Sequence, residues 1–390
     1  MLSYFKQTIE RLKSENRYRE FLNLSRICGE FPCAIDNNSG RKIVVWCSND
    51  YLGMGQNEET INEAIKALKT YGIGAGGTRN ISGTSSHVVE LEKNLAQLHS
   101  KEAALAFVSG YVANDATIQA LSSIIPDLII FSDAKNHASI ISGIRNSRLT
   151  KHVFRHNDMA HLEELLAIHE KTQPKLIIFE SVYSMDGDFG KALEIVALAK
   201  KYHALTYVDE VHGVGLYGKN GAGLCEDLGV ADKIDIIQGT LAKAFGAIGG
   251  YIAAKKEIIE AVRVVASGFI FTTALPPPIA AALTFNVKYL QQDDSKRKKM
   301  HENVVLLKEK LQQAQIKIIE NKSHIIAIRI GDAVRAKEVS KRLLDEFDIY
   351  VQHINFPTVE RGDERLRITV TPFHNESMID DLVKALKLIL

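Results

Sequence analysis

Between Ala103 and Ile237 the chain repeats one pattern: a short apolar run, a polar or glycine-rich turn, then a stretch with helical spacing. The runs are Leu105–Val108, Leu128–Phe131, Lys175–Phe179, Leu205–Val208 and Ile234–Ile237. Strands that alternate with helices are the signature of a parallel sheet with crossover helices. The expected fold class is therefore α/β, with a large, mostly parallel sheet domain. Gly250–Ala253 reads as a further strand running the other way. Beyond the proline-dense break Phe269–Pro278, strands His324–Ile330, Ile349–Val351 and Arg365–Thr371 alternate with helices and predict a small C-terminal α+β domain. Residues 1–24 read as an amphipathic helix with Phe5, Ile9, Leu12 and Tyr18 near helical spacing, closed by Arg17 and Arg19. Ile43–Trp46 is an expected strand, Glu58–Tyr71 a helix, and a second helix starts at Ser86. The division expected is an N-terminal helix and strand segment over 1–48, the large α/β domain over 49–285 and the small domain over 286–390.

In a parallel α/β sheet, ligands gather outside the carboxyl ends of the strands. Two runs end in reactive groups there. Leu205–Val208 delivers Asp209 and then His212, and Ile234–Ile237 runs into Gly239-Thr240-Leu241-Ala242-Lys243. A lysine amine condenses with carbonyls, and pyridoxal phosphate (PLP) exploits this beside an acid that keeps its pyridine nitrogen protonated. The competing reading is a solvated lysine and a strand-capping carboxylate. The apolar run before Lys243, its Gly/Ala lining and the upstream Asp-Glu-Val-His favour the cofactor.

Other turns add weaker signals. Ser109-Gly110-Tyr111 opens a helix whose first N–H groups can hold a phosphate. His137 is either a satisfied loop residue or a ring that stacks on a planar ligand. The polar turn Cys47–Gly53 can orient a small amino acid. The stretch 72–84, GIGAGGTRNISGT, lacks the lysine of a P-loop and the register of a dinucleotide fold. Its glycines suit close backbone approach or positive φ. Thr272 and Thr273 are either phosphate donors or turn formers, and Arg17, Arg19 and the basic run Lys296–Lys299 read as solvated on sequence alone.

Composition excludes several classes. With 390 residues the chain is long enough for a large core, and 48 Lys+Arg against 47 Asp+Glu argue against a nucleic-acid field spread over the whole protein, leaving only a local basic groove open; no nucleic-acid partner is expected. Cys28, Cys33, Cys47 and Cys225 form no C-x-x-C pair and no zinc spacing, so no metal is expected. No apolar run is long enough to span a bilayer, and the first residues resemble neither a secretory nor a transit signal. A cytoplasmic protein is the expectation.

Taken together, WCSNDYLGMG (46–55), GAGGTRNISGT (74–84), FRHND (154–158), FESVYSMDGDFG (179–190), GTLAKAFG (239–246) and YVQHINFPTVERG (350–362) carry a resemblance. The chain resembles the α-oxoamine synthases, PLP enzymes of fold type I that join an amino acid to an acyl-CoA with loss of CO2. The likeness spans nearly the whole chain in order. It implies that Lys243 bonds the cofactor and moves protons at the substrate α-carbon, that Asp209 pairs with the pyridine nitrogen and that His137 stacks on the ring. His212 and Ser184 would contact ring oxygens. Tyr111 and Thr240 would hold the phosphate, joined by Thr272 and Thr273 from a second copy in a homodimer with shared sites. Asn49 and Arg367 would bind the carboxylate of glycine. Arg19, Ser132, Lys151 and Thr358, with Thr78 and Asn80, would recognise succinyl-CoA. Gly213, Thr272 and Glu360 depart from the family's usual alanine, serine and proline. Two other readings stay open here: glycine C-acetyltransferase, which uses acetyl-CoA, and a silent PLP-fold scaffold, which would lack the lysine.

Overall fold

In the computed structural model, which describes residues 1–390, the first three strands are short: β1 (Leu24–Ser25), β2 (Cys33–Asp36) and β3 (Lys42–Val45). The next seven build the main sheet: β4 (Ala103–Phe107), β5 (Ile129–Asp133), β6 (Lys151–Phe154), β7 (Lys175–Glu180), β8 (Leu205–Asp209), β9 (Ile236–Thr240) and β10 (Gly250–Ala254). Their order is β4-β10-β9-β8-β7-β5-β6, and β10 alone runs antiparallel to its neighbours.

Successive side chains of a strand point to opposite faces, and here both faces are covered. Ile130, Ile178, Tyr207 and Ile236 join one apolar core, while their chain neighbours Phe131, Ile177, Val208 and Ile237 join the core on the other side. That is why the runs are continuously apolar rather than alternating. Each fully buried large side chain contributes about 1.5–3 kcal/mol. The strand KHVF of β6 escaped the sequence reading because it sits at the sheet edge with three of its four residues partly exposed. From β7 the chain builds outward through β8 and β9, whereas β6 lies on the far side of β5, so the connectivity changes direction between β5 and β7. Ligand crevices form at such switch points.

These strands lie in a compact unit of Met54–Ser184 and Asp188–Arg297; the other unit comprises Met1–Gly53, Met185–Gly187 and Lys298–Leu390. In the latter, β11 (Ile325–Arg329) pairs with β14 (Arg365–Thr369), which pairs with β13 (Gln352–Ile354), both antiparallel. The short β12 (Ile349–Tyr350) adds in parallel to β3, so the N-terminal strands share a sheet with the C-terminal segment. The N-terminal helix is shorter than its spacing predicts. It spans Leu2–Ser14, none of its residues is buried, and Asn16 follows at a φ of 52°. A left-handed residue ends a helix, so Arg17 and Arg19 stand in an irregular segment. No helix is long and apolar enough to cross a membrane.

One glycine contact governs the sheet next to the site. A Cβ on Gly250 would meet the Gly110 and Ser109 backbone at 2.5 Å. Gly250→Ala is expected to destabilise the fold by about 1–3 kcal/mol, the usual cost of overpacking, which thermal denaturation checks.

Candidate active site

Outside the carboxyl ends of the central strands lies a cavity of about 210 Å³. Lys243, Asp209, His137, His212, Tyr111 and Thr240, all expected from the sequence, line it together with Gly110, Asn114, Ser139, Glu180, Val211 and Ala242. Asp209 ends β8 and is 4% exposed. Its Oδ2 accepts from Asn114 Nδ2 at 2.8 Å and its Oδ1 from the Val211 N–H at 2.8 Å. Tyr207 in turn donates to Asn114 Oδ1 at 2.8 Å, which fixes the amide's orientation. Burial raises the Asp209 carboxyl above its ordinary value, opposed by these hydrogen bonds and by the charges of His137 and Lys243. A cation delivered to this carboxylate would reverse that rise.

Glu180, paired in register with Asp209 across β7 and β8, is one of the lining residues that the sequence does not single out. It is 3% exposed, and burial with the adjacent Asp209 charge holds its carboxyl well above the ordinary range. Two neighbouring carboxyls in one cavity cannot both ionise cheaply, and each raises the cost of charging the other.

His137 caps the helix Ala138–Ser147: the Ser139 N–H donates to its Nδ1 at 3.2 Å and the Ser139 hydroxyl lies at 2.8 Å. With Nδ1 accepting, the neutral ring carries its proton on Nε2. Desolvation lowers its pKa, with Asp209 opposing and Lys243 reinforcing. A neutral, tautomer-fixed imidazole suits stacking. At the other end of the cavity, Ser109 caps the helix Gly110–Ile124 through Val112 N at 3.1 Å. That helix start faces Thr240, whose Oγ1 donates to Gly249 O and accepts from the Ala242 N–H. A Cβ on Gly110 would press on Gln238 Nε2 at 3.3 Å and on Thr240 at 3.5 Å, so the glycine keeps this approach open.

The remaining expected residues lie elsewhere. Ser184 follows β7 but does not line the cavity. Thr272 Oγ1 donates to Gly268 O at 2.7 Å, and Thr273 bridges to Thr78, whose hydroxyl donates to Asn80 Oδ1 at 2.6 Å. Ser132 is buried in β5 and accepts from Asn136 Nδ2 at 2.9 Å. Lys151 is exposed at the amino end of β6, the end of a parallel strand remote from the cavity.

In the other unit, Arg367 on β14 is 7% exposed and donates to the Tyr51 hydroxyl at 3.1 Å, while Asn49 is exposed in the preceding turn. A second cavity, about 430 Å³, is lined by residues of 16–22 and 350–358. Across it Arg19 Nη2 donates to Thr358 Oγ1 at 3.1 Å. Beside that pair, the Arg17 and Arg361 guanidinium groups lie 4.8 and 5.1 Å from the Phe356 ring centroid. Arg17 also bonds Glu15 at 2.7 Å, so it is a packed group rather than a solvated one.

The donor set fits PLP. An amine, a buried carboxylate held by Asn114 and the Val211 N–H, an imidazole and a helix N-terminus all line one cavity. The arrangement defines a PLP-dependent transferase of fold type I. Comparison with known proteins agrees: the class I and II aminotransferase family matches residues 41–386. The 5-aminolevulinate synthase of Rickettsia prowazekii (strain Madrid E) is 54% identical over 98% of this chain and 92% of its own length. That of Bradyrhizobium diazoefficiens is 50% identical over 98% and 94%. Among solved structures, a serine palmitoyltransferase from S. paucimobilis with bound PLP superposes with a TM-score of 0.91 at 28% identity, covering 100% and 98% of the two chains. An 8-amino-7-oxononanoate synthase from Francisella tularensis shares the fold, with a TM-score of 0.75 at 24% identity over 89% and 96%. The chain belongs to the class I and II aminotransferase family, among the α-oxoamine synthases and on the branch of the 5-aminolevulinate synthases.

Proposed function

We infer that the protein condenses glycine with succinyl-CoA to give 5-aminolevulinate, CoA and CO2, the entry to tetrapyrrole synthesis. The observation that carries the choice of acyl donor is the Arg19–Thr358 pair across the 430 Å³ cavity. A guanidinium beside a hydroxyl offers charge-assisted donors to a terminal carboxylate, which succinyl-CoA has and acetyl-CoA lacks.

Bound PLP supplies an electron sink for the charge that develops at the glycine α-carbon. Asp209 keeps a proton on the pyridine nitrogen. Lys243 Nζ would hold the cofactor at rest and would remove and return a proton at the glycine α-carbon. His137 covers one ring face, and His212 and Ser184 hydrogen-bond the ring oxygens. Tyr111 and Thr240 hold the phosphate, together with Thr272 and Thr273 contributed by a second copy of the chain. Arg367 offers a planar fork to the glycine carboxylate, with Asn49 as the second donor. Ser132, Lys151, Thr78 and Asn80 join Arg19 and Thr358 in recognising succinyl-CoA. This reading places the enzyme in the cytoplasm as a homodimer.

Arg19→Leu is expected to raise KM for succinyl-CoA by about 10–100-fold, the worth of one hydrogen bond to a charged group, with little change for acetyl-CoA. Steady-state kinetics with both thioesters test it. An equal loss for the two donors would show that Arg19 does not read the far carboxylate.

A further inference from the structure

The FRHND stretch at the end of β6 has no part in the roles above, yet its imidazole joins three loops at the carboxyl ends of β5, β6 and β7. His156 Nδ1 lies 2.8 Å from Asp133 Oδ1, and its Nε2 lies 2.7 Å from Asp188 Oδ2. A carboxylate only accepts, so both ring nitrogens donate and the ring is an imidazolium. The Asp133 side chain is 1% exposed and that of His156 17%. The ring of Tyr183 meets His156 edge-on with centroids 4.5 Å apart. Asn157 reinforces the bridge: its N–H donates to Asp133 Oδ2 at 3.0 Å and its amide to Asp188 Oδ2 at 2.9 Å.

Both aspartates also organise backbone, Asp133 through its carboxylate and Asp188 through its main-chain carbonyl. Asp133 ends β5, and its Oδ1 accepts from the Lys135 N–H at 2.8 Å, shaping the turn that delivers Asn136 and His137. Asn136 Nδ2 closes that turn onto Ile178 O of β7 at 2.9 Å. Asp188 O accepts from the Tyr183 N–H at 3.0 Å within the loop that follows β7. One cation therefore ties the carboxyl-end loops of β5, β6 and β7.

We propose that His156 is a positioning residue: bridging Asp133 and Asp188, it sets the β5 turn and thereby holds the His137 ring over the cofactor cavity. The proposal rests on the reading of His137 as the ring-facing group. The groups facing His156 are Asp133 from β5, Asp188 and Tyr183 from the loop after β7, and, on its own loop, the Arg155–Asp158 ion pair. Burial pulls the His156 pKa down, and the hydrogen bonds and charges of Asp133 and Asp188 outweigh it, raising it to about 9. With the folded value above the unfolded one of about 6.5, the bridge contributes fully below that lower value and is lost as pH rises through about 9.

The test uses PLP-loaded protein, reading the visible circular dichroism of the bound cofactor against pH, with kcat and far-UV circular dichroism alongside. His156→Gln is expected to diminish the visible signal at neutral pH, to remove the titration step near 9 and to lower kcat by about 10–100-fold, as loss of a supporting hydrogen bond does in comparable sites. His137→Ala should change the same signal, and the double variant should be no worse in kcat than His137→Ala alone. Additive losses in the double variant, or an unchanged titration step in His156→Gln, would overturn the proposal. If His137→Ala leaves the visible signal unaltered, the reading of His137 fails first and the proposal falls with it. Should His156→Gln not fold, Asp188→Asn removes one anchor of the bridge and serves the same comparison.

Discussion

Lys243→Ala is expected to abolish turnover, by at least about 10⁴-fold, and to erase the visible absorbance band of the lysine-bound cofactor while leaving far-UV circular dichroism unchanged. The expectation follows from the residue's two tasks. Its amine faces the same cavity as Asp209 and His137, where it anchors the cofactor and moves the proton at the substrate α-carbon. Positioned acid–base groups alone contribute about 10²–10⁴-fold, and loss of the covalent anchor adds to that. Absorbance of the reconstituted variant and its rate of CoA release are the measurements. A retained band would mean that another amine holds the cofactor.

Asp209→Asn should be the next most damaging change. The substitution keeps the shape but removes the charge that Asn114 and the Val211 N–H orient at 2.8 Å each. Without that carboxylate the pyridine nitrogen loses its paired charge, and charge at the α-carbon loses part of its sink. Loss of one preorganised electrostatic partner costs about 10²–10³-fold in kcat, and cofactor affinity should fall as well. Turnover and equilibrium dialysis of PLP check the two effects separately. A variant with wild-type kcat would remove Asp209 from the account.

The strands that carry these residues were legible because both faces of the sheet are buried, which forces apolar runs that stop where chemistry begins. Asp209 and Lys243 could be placed near one another from two such runs alone, since β8 and β9 are neighbours. Glu180 and Asn114 could not. Glu180 reaches the cavity through its register with Asp209, and Asn114 reaches Asp209 across 95 residues of sequence. Neither register nor helix rotation is written in a local pattern. Arg19 and Thr358 lie 339 residues apart and meet through a hydrogen bond; only family resemblance linked them beforehand. The N-terminal helix was overextended because apolar spacing persists to Tyr18, whereas Asn16 at positive φ stops the helix earlier.

The most direct test of the central claim is CoA release by the purified, PLP-loaded protein with glycine, comparing succinyl-CoA with acetyl-CoA and assaying the product. The account predicts strong turnover with succinyl-CoA, accumulation of 5-aminolevulinate, and a preference over acetyl-CoA that shrinks in Arg19→Leu. Preference for acetyl-CoA would contradict the acyl-donor assignment and leave only the fold and the PLP site standing.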